Sequence, residues 1–171
     1  VLPWSVLAMT RTVAGPASLA TAFGHAHELL LGYALAAVAG NQLPPMSPAR
    51  AWVLFALWAA ARLAFVMSQG QVALVLDMAF AVALATHVAP RLFRTAKKLR
   101  NQGLPAIITA LCVGAVAWDA AWLAGGVITI RTLLGAIVLL LAALMLFMGG
   151  RIIAPAAAGQ RYRQGESLVA R

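Results

Sequence analysis

The most apolar stretch of this chain is VITIRTLLGAIVLLLAALMLFMG, residues 127–149. Its one charged side chain is Arg131, and apolar residues surround the whole circumference of a helix built from it. A helix needs about 20 mostly apolar residues to cross the hydrocarbon core of a bilayer. The stretch is therefore predicted to be a transmembrane helix.

Four further segments extend this prediction to a bundle of five spans. Three of them are apolar in the same way: Ala51–Met67, Val72–Pro90 and Leu104–Gly125. The fourth ends near Leu43 and is long enough to span only if it begins near Thr21. The loops between the spans are short, including a tight turn at Gly125 and Gly126, so the sequence predicts an all-α, polytopic transmembrane helical bundle.

The composition excludes a soluble protein and gives the bundle an orientation. Of 171 residues, 63% are hydrophobic and 10% are charged, whereas soluble domains carry about 25% charged residues. The net charge of +9 does not indicate a nucleic-acid partner, because ten of the 13 Lys and Arg residues fall on one predicted face of the membrane. By the positive-inside rule, the basic loop 91–103 and the C-terminus are expected on the cytoplasmic side of the membrane. Cys112 is the single cysteine, which excludes an internal disulfide.

Three segments make up the predicted domain organisation. Residues 21–155 form the transmembrane helical domain, and residues 156–171 form a basic cytoplasmic tail. Residues 1–20 contain Arg11, Gly15 and Pro16 within a modestly apolar stretch. Two alternatives stay open for this first segment: a degraded sixth span, or a segment that lies in the membrane interface.

Ionisable side chains inside spans are costly and are functional candidates by default. Arg62 and Asp77 lie equally far from the turn at 68–71, about 11 Å deep on adjacent antiparallel helices, which predicts an ion pair. The pair is either structural or serves a cofactor propionate or a proton pathway. Asp119 is expected to pair with Arg131. Trp118 and Trp122, on either side of Asp119, are expected to belong to an aromatic belt at the membrane interface. His87 lies at the opposite membrane face and is expected to be interfacial.

The run His25-Ala-His27-Glu28 is the most unusual polar motif. Two imidazoles and a carboxylate suit haem or copper ligation, with Glu28 accepting a hydrogen bond from an imidazole N–H. The alternative is a pair of interfacial histidines that cap the helix and meet water. On a regular helix His25 and Glu28 share a face, and His27 lies roughly 200° from His25.

Several elements along the chain occur together with this motif: the run from His25 to Tyr33, Leu76-Asp77 with Phe80, Arg100-Asn101, and Gly149-Gly150-Arg151-Ile152-Ile153. By these elements, which cover about residues 20–155, the chain resembles the NnrS family of bacterial membrane proteins. Departures are Leu29 in place of the family's Met, Asn41-Gln42-Leu43-Pro44-Pro45 in place of its Asn-Trp-Thr-Gly stretch, and Pro155 after Arg151 without the usual Phe-Thr. Family members are longer, so this chain corresponds to their N-terminal half.

The resemblance implies a haem- or copper-containing protein of the nitric-oxide or nitrosative-stress response, linked to denitrification, with nitric oxide as its ligand. It makes His25 and His27 the candidate haem or metal ligands, with Glu28 as their partner and Arg62 or Arg131 available to propionates. Substrate turnover is not implied. Two alternatives remain, a small proton- or anion-coupled transporter-like bundle that uses Arg62, Asp77 and Asp119, and a truncated family remnant without cofactor. A homo-oligomer that restores the larger number of spans is a further expectation.

Overall fold

The computed structural model describes residue 10 and residues 21–42, 46–67, 70–95 and 99–163. Five helices run through these residues. Helix α1 covers residues 22–42 and consists of an α-helix at Ala22–His27, a π-helical turn at Glu28–Tyr33 and an α-helix at Ala34–Gln42. The others are α2 (Pro48–Val66), α3 (Gly70–Thr95), α4 (Leu99–Leu123) and α5 (Val127–Arg163). The predicted all-α class is confirmed.

Helices α2 to α5 are each long and apolar enough to cross a membrane. Helix α1 is about 30 Å long at 1.5 Å per residue, which matches the thickness of the hydrocarbon core. It begins where the sequence places it: Thr21 is the N-cap, and its hydroxyl accepts a hydrogen bond from the Gly24 amide at 3.0 Å. The five helices agree with the predicted bundle, whereas the alternatives for residues 1–20 concern a segment outside the described residues, apart from Thr10.

Two helices continue beyond their predicted ends. Helix α3 extends past Pro90 to Thr95, and α5 extends past Gly149 to Arg163, so residues 156–163 of the predicted tail are helical. A span ends at the bilayer edge, but the helix itself does not need to. Arginines in both extensions, and alanines in that of α5, are strong helix formers, and the α5 helix continues in spite of Pro155 and Gly159.

Successive helices pack side by side, α2 on α3, α3 on α4 and α4 on α5, and the second half of α1 contacts α3 and α4. The core between α3, α4 and α5 consists of fully buried apolar side chains, among them Leu84, Ile108, Leu111 and Ile137. Helix α5 contributes one narrow face to this core, and most of its apolar surface is exposed. In a membrane that surface faces lipid.

The turn between α4 and α5 depends on Gly125. Its φ of 70° lies in the left-handed region, and the next amide, that of Gly126, donates to the Ala121 carbonyl at 2.8 Å. This is the glycine-terminated helix end that the Gly125-Gly126 sequence predicts.

We expect Gly125→Ala to lower the free energy of unfolding by about 1–2 kcal/mol, since an L side chain strains this conformation. The measurement is unfolding of the purified protein in mixed micelles. Gly135→Ala is the matched control, because Gly135 lies within α5 and a Cβ there meets open space. Equal stability of the two variants would contradict the role of the turn.

Candidate functional site

Helix α1 brings two polar side chains to the interior of the bundle, at the point where its π-helical turn begins. His27 ends the first α-helical segment and is completely buried, and Glu28 opens the π-helical turn. Glu28 Oε1 lies 3.6 Å from His27 Nδ1. The long Glu28 side chain therefore joins His27, although a regular helix predicts a face shared with His25.

Arg62 of α2 connects the neighbouring helices through its guanidinium group. Its Nη1 donates to Glu28 Oε1 at 2.8 Å, and its Nη2 donates to Asp77 Oδ2 on α3. The ion pair expected between Arg62 and Asp77 from their equal depth is present. The contact with Glu28 extends it into a bridge across α1, α2 and α3.

Gly32 makes room for this guanidinium. A Cβ at Gly32 would overlap Arg62 Nη1 and would lie 2.9 Å from Arg62 Cζ. The Gly32 carbonyl accepts a hydrogen bond from the Trp58 indole at 2.8 Å, so α2 contacts the π-helical turn at two places. Such turns in α-helices occur frequently at functional sites.

Asp119 of α4 completes the group. His27 Nε2 lies 2.9 Å from Asp119 Oδ1 and 3.6 Å from Asp77 Oδ2. We call His27, Glu28, Arg62, Asp77 and Asp119 the polar cluster. It joins four helices inside an apolar bundle, where an isolated charge would be costly.

Aromatic rings enclose the imidazole of His27. Phe65 stacks on it with 5.5 Å between ring centroids, while Trp122 and Trp118 lie 6.2 Å and 6.4 Å away. Trp118 is fully buried, so its expected place in an interfacial belt is wrong. Asp119, the residue that follows Trp118, faces α1 and α3. The orientation of α4 about its axis that directs Asp119 there also buries Trp118 in the bundle.

The expected pair between Asp119 and Arg131 is also corrected by the structure. Within residues 127–151 of α5 the buried residues are Ile130, Ile137 and Leu144, which recur every seven positions and define its contact with α4. Arg131 is about 100° around the helix from Ile130 and is exposed. Asp119 pairs with His27 instead, a partner that the similar depth of the two residues in their spans could have indicated.

The remaining candidate residues lie outside the polar cluster. His25 is half-buried near the start of α1, and none of the ion pairs among the described residues includes it. His87 is partly exposed near the other end of the bundle, with Nε2 3.1 Å from Arg91 Nη1. That position agrees with an interfacial histidine.

The polar cluster has an excess of negative charge and of unsatisfied atoms. Three carboxylates, those of Glu28, Asp77 and Asp119, face one guanidinium and one imidazole. Within the described part of the chain, four buried side-chain atoms lack a hydrogen-bond partner: His27 Nδ1, Arg62 Nε and Asp119 Oδ2 of the cluster, and the adjacent Trp118 Nε1. Buried polar atoms of this kind call for an explanation, such as an ion or ordered water.

Three residues of the cluster are close enough together to hold a single metal ion. One ligand atom from each of His27, Asp77 and Asp119 lies within 4.8 Å of the others. A haem does not fit at His27, because the ring is 0% exposed and is covered by Phe65, Trp118 and Trp122. The adjoining cavity, of about 300 Å³, is lined by Phe65 and Trp122 and lies near the turn between α2 and α3. A haem ligated by His25 stays a prediction.

A family model described as "NnrS protein" matches residues 1–165. The match includes the first twenty residues, whereas the motifs that carry the resemblance begin after them. No curated protein and no solved structure matches the chain.

We expect Gly32→Ala to expel Arg62 from the polar cluster and to destabilise the protein by about 3–5 kcal/mol, the cost of leaving buried charges unpaired. Gly40→Ala in the same helix is the control, since a Cβ at Gly40 meets no atom within 4 Å. Thermal unfolding in detergent measures both variants. A Gly32→Ala protein as stable as Gly40→Ala would contradict the close approach of Arg62.

Removing the charge of Asp119 tests its pairing with His27. We expect Asp119→Asn to cost about 1.5–3 kcal/mol, the range for a hydrogen bond to a charged group. Arg131→Gln should leave stability unchanged, because Arg131 is exposed. If Arg131→Gln lowered the stability more than Asp119→Asn in the same unfolding assay, the result would support the pairing of Asp119 with Arg131 that the sequence predicts.

Proposed function

The chain belongs to the NnrS family, and we propose that it is a metal-binding membrane protein that serves the nitric-oxide or nitrosative-stress response. The response is what the family resemblance implies. The metal is supported by one observation in particular, the convergence of His27, Asp77 and Asp119 within 4.8 Å of one another inside the bundle.

The donor set favours a divalent transition-metal ion. Imidazole nitrogen suits copper, iron and zinc, and carboxylate oxygen adds affinity for a doubly charged cation. Cu²⁺ binds nitrogen and oxygen ligands more tightly than the other divalent ions of the first row. Copper is therefore our first candidate, in agreement with the expectation from the family resemblance.

The residues around His27 prepare it as a ligand. When the ring proton is on Nδ1, which lies 3.6 Å from Glu28 Oε1, the Nε2 lone pair is directed at Asp77 and Asp119, where the ion would bind. Arg62 holds Glu28 and Asp77 in place from the opposite side. A bound ion would supply a Lewis acid or a redox centre, while Phe65 and Trp122 restrict the access of water.

We propose the inner membrane of a bacterium as the location, with the loop 91–103 and the C-terminus in the cytoplasm, by the positive-inside rule. The polar cluster then lies in the outer half of the bilayer. Nitric oxide is small and uncharged, and it partitions into apolar surroundings, so a site at this depth needs no polar channel.

Metal analysis of the purified protein tests the proposal. After loading with Cu²⁺ and removal of loosely bound metal, we expect one ion per chain, and at least about tenfold weaker binding in Asp119→Asn and His27→Gln. His25→Gln is the matched control, because His25 lies outside the polar cluster. Circular dichroism confirms that each variant has kept its helices.

Haem loading of the same proteins distinguishes between the competing hypotheses. A Soret band that His25→Gln abolishes, together with absence of bound copper, would overturn the site at His27 in favour of a haem at His25. Neither haem nor metal, together with proton uptake into liposomes that Asp77→Asn abolishes, would favour the transporter-like bundle.

A further inference from the structure

A second charged feature lies at the end of the bundle away from the polar cluster. Arg50 is in the first turn of α2 and is exposed, and it lies about 18 Å along the helix axis from Arg62. His87 and Arg91 of α3 are at the same end. This distance places the three side chains where a span of this length meets the lipid headgroups.

A groove between α2 and α3 combines basic and apolar walls. It has a volume of about 260 Å³ and is lined by Ala49, Arg50, Val53, Leu54, Ala83 and His87. Leu54 also lines a second, wholly apolar cavity of about 270 Å³ beside Ala36, Gly40 and Trp58. A polar rim thus adjoins apolar surface on both sides of Leu54.

The charge at this groove is positive and has no carboxylate to balance it within the described part of the chain. Glu28, Asp77 and Asp119 all belong to the polar cluster, and the first turn of α2 contains no acidic residue. The N-terminus of α2, which starts at Pro48, adds the positive end of its helix dipole.

His87 presents a hydrogen-bond donor in this setting. A guanidinium has no acceptor, so the Nε2 atom that faces Arg91 Nη1 at 3.1 Å must accept, and the ring proton then resides on Nδ1. Arg50 and His87 together offer donors to an anion from two different helices.

We propose that this groove binds the phosphate of an anionic phospholipid, with its acyl chain along the apolar wall at Val53, Leu54 and Ala83. Basic pockets between transmembrane helices at the cytoplasmic face are typical sites for anionic headgroups. The charge and the apolar wall together favour a lipid over free phosphate, because free phosphate has no apolar part that could contact the wall. The inference is independent of the metal proposed at the polar cluster.

Lipid binding to the whole chain in detergent tests this site, with native mass spectrometry as the readout. We expect phosphatidylglycerol to bind more tightly than phosphatidylcholine, and Arg50→Gln to weaken phosphatidylglycerol binding about fivefold, as for the loss of one basic residue at an anionic surface. Arg131→Gln removes the same charge from the opposite end and should leave binding unchanged. Thermal unfolding without lipid shows that both variants are folded.

Three results would overturn the inference. They are equal binding of the two lipids, equal losses in Arg50→Gln and Arg131→Gln, and displacement of phosphatidylglycerol by millimolar inorganic phosphate, which would make the ligand a free anion. A loss in His87→Gln similar to that in Arg50→Gln would support the groove between α2 and α3 over a diffuse basic surface.

Discussion

The guanidinium of Arg62 is the contact on which the rest of the bundle's interior depends. In an apolar interior a charge without a partner costs several kcal/mol. Arg62 reaches Glu28 on α1 and Asp77 on α3 at once, and Asp77 and Glu28 both approach His27. Because each charge is tolerated only while the others are present, the relative positions of α1, α2 and α3 are fixed together.

Several local features of the chain follow from this requirement. The guanidinium passes so close to α1 that no side chain fits at residue 32, and the helix forms a π-helical turn around that glycine. Trp58, one turn before Arg62, donates to the Gly32 carbonyl and holds the same approach. The glycines of α1 thus have different roles: Gly32 accommodates a charged group, whereas Gly40 lines the cavity beside Leu54 and Trp58.

The fold was predictable from the sequence because membrane spans depend on length and composition. The pair of Arg62 and Asp77 was predictable too, since two residues equally distant from one short turn must lie at the same depth. The depth of a residue in the membrane does not show in which direction its side chain points around the helix axis, and the wrong predictions concern this direction. Asp119 was matched to Arg131 across the next turn, but the buried face of α5, set by Ile130 and Ile137, turns Arg131 outward. The π-helical turn at Glu28, which has no clear sequence signal, likewise concealed the contact between Glu28 and Arg62.

The distribution of charge along the bundle bears on what each end binds. The described acidic residues converge at one depth, with more carboxylates than cationic partners, and Asp119 keeps an unsatisfied oxygen there. The basic residue Arg50 lies at the other end, where it lines the groove between α2 and α3 together with His87. A small cation bound at the polar cluster would balance the buried excess of negative charge without being exposed to lipid, whereas the basic end carries the charge that anionic headgroups require. With only four acidic residues in the chain, the two signs of charge are thus separated along the bundle.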